Sequence, residues 1–369
     1  MPASRNAPRR HPNATHAKMR AMSKGTFAAR VIAWQRVHGR HDLPWQRTRD
    51  PYRVWLSEIM LQQTQVAAVI PYYERFLAAF PDVASLAHAP IDAVLALWSG
   101  LGYYRRAHHL HAAAKAVVAD HGGAFPRDAA TLATLPGVGR STAAAIAALA
   151  FGAAEAILDG NVKRVLARHR GIAGWPGAPK VEAALWDIAT AALPPRDVDT
   201  YTQGLMDLGA TLCTRANPRC DACPVATDCV ARRDGRVGEL PEARPRKALP
   251  QRAIRVLLIE RSGEILFEKR PDVGIWGGLW SLPECALDDD VAAAVRQRFG
   301  PRVEVGEALP TIAHGFTHFS LTLHPQRISA RQWPTRAEAP GTLWLAPADA
   351  QHAALPAPIR RLVRSLAKK

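Results

Sequence analysis

From Gly25 to about Ala231 the apolar residues return at helical spacing. Phe27, Val31, Trp34 and Val37 or His38 fall three to four apart, and similar stripes recur in 52–80, 91–98 and 104–118. Pro44, Pro51, Pro71, Pro81, Pro90 and Pro126 punctuate the stripes at intervals that suit short helices. Nothing in this half alternates as a sheet does, so it reads as all-α. Beyond a Pro- and Arg-rich stretch, 232–252, the pattern changes to short apolar strands. These are Ile254 to Ile259, a turn at Arg261-Ser262-Gly263, Ile265 to Glu268, and later an alternation of Phe319, Leu321 and Leu323. A helix near Asp288 to Arg298 and a terminal one with Ile359, Leu362, Val363 and Leu366 on one face complete an α+β domain. The expected organisation is a tail, 1–24, a helical domain, 25–231, a linker, 232–252, and a mixed domain, 253–369.

Composition narrows the class. A chain of 369 residues, 48% hydrophobic, can bury two ordinary cores and is not disordered. No apolar run approaches the roughly 20 residues of a membrane span and no signal sequence opens the chain, so a soluble, cytoplasmic protein without a membrane partner is expected. The net charge of +16 calls for a polyanionic partner and for binding weakened by salt. Charge alone does not separate DNA from RNA or an acidic protein. Residues 1–24 hold six Lys or Arg and no acid, which is the composition of an unfolded basic tail.

Four stretches bear on nucleic acid chemistry. In Leu135-Pro136-Gly137-Val138-Gly139-Arg140-Ser141 a turn opens directly into a helix. Gly137 and Gly139 can take conformations closed to other residues, and the free N–H groups make an anion seat that fits a DNA phosphate. One helix later, Leu158-Asp159-Gly160-Asn161-Val162-Lys163-Arg164 places a carboxylate at a helix start with basic residues behind it. In Trp55-Leu56-Ser57-Glu58-Ile59-Met60-Leu61-Gln62-Gln63-Thr64-Gln65 an acid stands among apolar residues, before a run of amides. Desolvation there would raise the pKa of Glu58 and let it carry a proton near neutrality. A solvent-facing Glu on an amphipathic helix is the plainer alternative. The glutamines favour the first reading, because uncharged amides fill a gap in a base stack or read base edges. Gly100-Leu101-Gly102-Tyr103-Tyr104-Arg105-Arg106 is either a loop that drives an apolar wedge into a duplex or a turn whose tyrosines finish the core.

Cys213, Cys220, Cys223 and Cys229, spaced C-x6-C-x2-C-x5-C, point to a metal. Thiolates alone suit structural zinc or an iron–sulfur cluster, and spacing does not decide between them. Cys285 reads as a core residue.

Taken together, Trp55 to Thr64, Gly100 to Tyr104, Leu135 to Gly139, Leu158 to Val162 and the four cysteines resemble the MutY-type adenine DNA glycosylases of the endonuclease III superfamily. The resemblance runs over nearly the whole chain from about Gly25. It implies a helix-hairpin-helix glycosylase domain carrying a [4Fe–4S] cluster on a loop at 213–229, acting as a monomer in a bacterial cytoplasm near the nucleoid. The implied substrate is duplex DNA with adenine opposite 8-oxoguanine or guanine. By that similarity Glu58 protonates the adenine and Asp159 steadies the developing oxocarbenium, with Asn161 orienting the site. Gln203 would meet the flipped base, and Gln62, Gln63, Thr64, Leu101 and Tyr103 would contact or enter the duplex. Where bifunctional relatives carry a lysine, this chain has Ser141, which cannot form an imine, so base removal without efficient strand cleavage is expected.

The C-terminal part resembles a Nudix hydrolase core, in Lys269-Arg270-Pro271 and Gly274 to Trp280. The glutamates that would hold magnesium are missing from Val291-Ala-Ala-Ala-Val-Arg-Gln-Arg-Phe-Gly, so neither magnesium nor a nucleotide cofactor is expected. The resemblance implies a domain that reads 8-oxoguanine through Phe316-Thr317-His318, where the family has serine at the middle position.

Overall fold

The structure, a computed structural model, describes residues 25–245, 248–299, 303–330 and 341–366. The expected basic tail, 1–24, lies outside them. The chain divides into two compact units, one of residues up to Gln62 together with Ala124–Pro245, the other of Gln63–Gly123 together with Arg246 onward.

The described part of the first unit is helical. It holds α1 (Phe27–His38) and α2 (Pro51–Leu61), and beyond the excursion of the chain into the other unit it resumes with α7 (Ala129–Leu132), α8 (Arg140–Phe151), α9 (Gly160–Arg170), α10 (Pro179–Ala191), α11 (Val198–Thr211) and α12 (Val230–Arg233). Its core brings Phe27, Val31 and Trp34 of α1 together with Leu158, just before α9, with Val162 and Leu166 of α9, and with Tyr201, Leu205 and Leu208 of α11. That is the stripe read from the sequence at Phe27, Val31 and Trp34. α2 starts at Pro51, with the Asp50 carboxylate accepting from the N–H of Arg53, so the turn before the Glu58 stretch is capped by its own sequence.

The second unit begins with α3 (Val66–Ala79), α4 (Val83–His88), α5 (Ile91–Trp98) and α6 (Arg105–His121). Pro71 was expected to punctuate the pattern, yet α3 runs through it. It sits near the start of a helix whose apolar face buries Val69, Tyr73 and Phe76, and that packing offsets the one backbone hydrogen bond a proline forfeits.

The rest of this unit is a mixed sheet. Its main path runs β3 (Trp280–Ser281), β2 (Glu264–Lys269), β1 (Gln251–Arg261), β7 (Ser320–Ala330) and β5 (Val303–Ala308). β4 (Glu284–Cys285), β6 (Ile312–Gly315) and β8 (Thr342–Leu345) pair with β1, β7 and β2 respectively. β1 and β7 are parallel from Gln251 opposite Ser320 to Glu260 opposite Ser329, and β1 and β2 form a hairpin. Ser262 and Gly263 both take positive φ at its tip, the twist a two-residue hairpin turn requires. α13 (Val291–Phe299) lays Val295 on Leu257, Ile259, Leu266 and Ile328. α14 (Pro347–Ala350) and α15 (Ala357–Leu366) close the unit, the latter burying Ile359, Leu362 and Val363. β1, β2, β7 and both longer helices lie where the alternation and the helical stripe placed them, whereas β3, β4, β5, β6 and β8, the first two only two residues long, were not foreseen.

Candidate active site and nucleic-acid interface

Two acids meet in the helical unit. Glu58 lies on α2, whose neighbours Trp55, Leu56, Ile59 and Met60 are all buried. Burial raises its carboxyl to about 7, and the charge of Asp159 adds to the rise. The charge of Asp159 thus reaches Glu58. Asp159 is the N-cap of α9, its Oδ1 accepting from the N–H of Val162 at 2.8 Å. Burial raises its carboxyl as well, opposed by the Val162 N–H and by Arg164. An N-cap carboxylate fixed in this way needs no reorganisation to face a cation.

Asn161 is held beside it, its Oδ1 accepting from Arg164 Nη2 at 2.8 Å. The same guanidinium donates to the carbonyls of Cys213 and Gly209, so one arginine ties the acid-bearing helix start to the first cysteine. Gly209 on α11 lies so close to Asn161 that an added Cβ would stand 2.5 Å from Asn161 Cβ.

The hairpin has the shape expected of an anion seat. Gly137 takes φ of 77°, Val138 donates to the Leu135 carbonyl at 3.1 Å, and Gly139 caps α8 with no side chain over its N–H groups. Gln62 Nε2 reaches the Gly137 carbonyl and Thr142 Oγ1, each at 3.4 Å, which brings it to this turn. Arg140 is exposed and rests on the Trp186 ring, 3.8 Å from its centre. Ser141 accepts at Oγ from the Leu158 N–H at 2.9 Å, so it fastens the segment that leads into Asp159.

A cavity of about 400 Å3, the size of a small-molecule site, opens beside α2. Val54 and Ser57 of α2, Trp45, Arg40, Thr200 and Gln203 are among its lining residues. Glu58 is the residue after Ser57 but does not itself line this cavity. Gln203 Nε2 donates to Asp207 Oδ1 at 2.8 Å, and Asp207 is completely buried against Arg40. Sequence reasoning missed Arg40, Trp45 and Asp207. An acid four residues after Gln203, in an otherwise apolar stretch, was the available signal for the last.

In the second unit, Gln63 and Tyr103 both carry left-handed backbone, with φ of 56° and 49°. Such strain in residues other than glycine persists only where surroundings enforce it. Here Trp98 Nε1 donates to the Gly102 carbonyl, Tyr104 Oη accepts from the Gly100 N–H, and Arg106 donates to Thr64 Oγ1 and the Gly102 carbonyl. Arg106 also stands over the Trp98 and Tyr103 rings, and burial lowers its pKa to about 10. Gly100, at φ of 103°, faces Tyr72, whose hydroxyl would be 2.3 Å from an added Cβ. The loop corrects one expectation. Leu101 is 8% exposed and finishes the core, whereas Tyr103 is 45% exposed, so the outward apolar side chain is the tyrosine.

On the sheet, Phe316 stacks on Phe319 at 4.5 Å and packs on His314 and Trp276, while Thr317 and His318 project as exposed side chains. Arg298 pairs with Glu268, and Arg270 with Glu284.

The four cysteines carry no disulfide and line one cavity with Val165, Arg168 and Leu212. No three metal-binding side chains among the described residues converge on a single-ion site. Four thiols around a shared space are a donor set that suits either a structural zinc or an iron–sulfur cluster. Burial pushes the Cys223 thiol up to about 12, so a bound metal would have to displace its proton. The loop is fastened from outside: Arg30 donates to Thr227 and Asp228, and Arg168 to the Thr214 and Leu240 carbonyls.

Comparison with known proteins agrees with this layout. Residues 56–190 match the family described as HhH-GPD superfamily base excision DNA repair protein, and 255–365 match the NUDIX domain. The chain is 34% identical to the adenine DNA glycosylase of Buchnera aphidicola (subspecies Acyrthosiphon pisum), over 94% of this chain and 99% of that one. It is 32% identical to the human adenine DNA glycosylase, over 92% of this chain and 73% of that one. A solved thermostable thymine-DNA glycosylase superposes with a TM-score of 0.52 at 30% identity, covering 60% of this chain and all of the other. With both domain types present and the match spanning nearly its full length, the chain belongs to the adenine DNA glycosylase family.

Proposed function

We propose that this protein hydrolyses the N-glycosidic bond of adenine mispaired with 8-oxoguanine or guanine in duplex DNA. The observation that carries this reading is the pair of acids, Glu58 raised to about 7 beside a helix-capping Asp159. Near neutral pH a good share of Glu58 is protonated and can donate to the extruded base, which leaves as a neutral purine. The Glu58 carboxylate left behind accepts a proton from the incoming water. The Asp159 carboxylate faces the oxocarbenium that forms at C1′, and Asn161 with Arg164 keeps it in place. Gln203 meets the base in the cavity beside α2. The hairpin N–H groups with Arg140 take a phosphate, and Gln63 and Tyr103 fill the space the base vacates.

Cleavage of the strand is not part of the reaction. Ser141 stands where an imine-forming lysine would be needed and already serves the Leu158 N–H, and Lys163 is paired with Glu182 at 2.7 Å. Cys213, Cys220, Cys223 and Cys229 would hold a [4Fe–4S] cluster, which would cross-link the loop. The sheet domain, 253–369, binds without hydrolysing, its Phe316, Thr317 and His318 presented to the 8-oxoguanine. The protein acts as a cytoplasmic monomer without magnesium.

A duplex with adenine opposite 8-oxoguanine, incubated with the protein and then split between neutral buffer and hot alkali, tests the assignment. Strand breaks only after alkali are expected. Breaks without alkali would make the enzyme a lyase, and none in either half would remove the glycosylase reading.

A further inference from the structure

Asp207 lies one turn after Gln203 on α11, and it is fully buried. It accepts three hydrogen bonds, from the Arg40 backbone N–H at 2.8 Å, from Arg40 Nε at 2.8 Å and from Gln203 Nε2 at 2.8 Å, and Arg40 Nη2 pairs with it at 2.7 Å. With Arg40 donating to it from the other side, the carboxylate accepts from the amino end of the Gln203 amide. The carbonyl end, Oε1, is then what Gln203 presents to the cavity it lines.

We propose that Asp207, clamped by Arg40, is a positioning residue that sets base selectivity by fixing the amide of Gln203 with its carbonyl toward the base. The inference rests on Gln203 meeting the flipped base, as above. A fixed acceptor receives a hydrogen from the exocyclic amino group of adenine. It repels the carbonyl that guanine or hypoxanthine carries at the same ring position, because two acceptors then face each other without a proton. A glutamine free to rotate would offer its amino end to that carbonyl and lose the distinction. For an enzyme working on mispairs whose other base is a guanine derivative, the distinction keeps the wrong strand intact.

The test is the ratio of single-turnover release rates for adenine and hypoxanthine, each opposite 8-oxoguanine, with unsubstituted purine as a control that has no group at the position in question. Asp207→Asn can donate or accept and so no longer forces the amide. It is expected to lower the preference for adenine over hypoxanthine about tenfold relative to the unaltered protein, the worth of one hydrogen bond, while purine release changes little by comparison. Equal losses on all three bases, with the preference intact, would mean that Asp207 only supports the fold and would overturn the proposal. Gln203→Ala separates the two layers. If it abolishes the preference while Asp207→Asn does not, Gln203 reads the base without Asp207; if it leaves the preference untouched, Gln203 does not read the base and both ideas fall. Should Asp207→Asn not fold, Asp207→Ser, smaller and equally unable to dictate the amide, is scored by the same ratio.

Discussion

At the residue scale the acid on α2 carries two opposite consequences. With Glu58 as the proposed proton donor, adenine release should be fastest below its pKa of about 7 and fall as pH rises through it. Stability follows the same group. Because the folded pKa lies above the unfolded one, the folded state holds a proton that the unfolded chain has lost between pH 4.5 and about 7. The favourable contribution is complete below that window, declines across it, and is gone above it. Glu58→Gln removes the transferable proton and the burdensome charge together. It should abolish base release, retain duplex binding, and unfold at a higher temperature than the unaltered protein at pH 8, by up to about 3 kcal/mol, with the gap closing toward pH 4.5. Retained turnover would take Glu58 out of its role, and a gap independent of pH would refute the buried proton. The sheet domain offers a second test. Thr317 and His318 are exposed and bond only weakly to each other, with Oγ1 and Nδ1 3.4 Å apart. Thr317→Ala combined with His318→Ala should leave stability within about 0.5 kcal/mol but reduce the preference for 8-oxoguanine over guanine opposite adenine. An unchanged preference in a competition assay would return this loop to being an ordinary strand end.

At the scale of elements, the acid pair depends on how closely α9 and α11 approach. Gly209→Ala would set a methyl 2.5 Å from Asn161 Cβ and 3.1 Å from its backbone, which no flexible chain end can yield. The helices must separate, and the displacement falls on the residues that orient Asp159. A loss of about 1–3 kcal/mol in thermal unfolding is expected, with a larger proportional loss of adenine release than stability alone explains. Equal activity per folded molecule would show that the contact is only packing. Much of this was legible from local pattern. The hairpin glycines, the Asp159 cap and the β1–β2 turn follow from residues whose conformational needs are met within a few positions. What escaped depends on partners far along the chain. Arg40 meets Asp207 across 167 positions, and Arg140 stacks on Trp186 from another helix, so neither pairing leaves a periodic trace. Leu101 misled for a similar reason: between two glycines it looked like a wedge, and only the tertiary core assigns it inward and Tyr103 outward.

At the scale of the whole molecule the controlling quantity is charge. A net +16 on 369 residues gives a protein that any duplex attracts, whatever its sequence. Part of that charge is spent internally, since Arg30, Arg40, Arg270 and Arg298 are tied to carboxylates of the protein and are not available to phosphate. The stretch 291–300 of the sheet domain supplies no glutamate to hold a divalent ion. Two dependences are therefore expected to part company in one experiment. Binding to a matched, undamaged duplex should weaken steeply with salt, by on the order of a thousandfold between 50 and 200 mM if about six phosphates are contacted. Adenine release at fixed ionic strength should not respond to adding EDTA or magnesium. A magnesium requirement would contradict a sheet domain without those glutamates. A shallow salt dependence would mean that the excess charge serves something other than the DNA backbone, and the hairpin and Arg140 would then lose their phosphate.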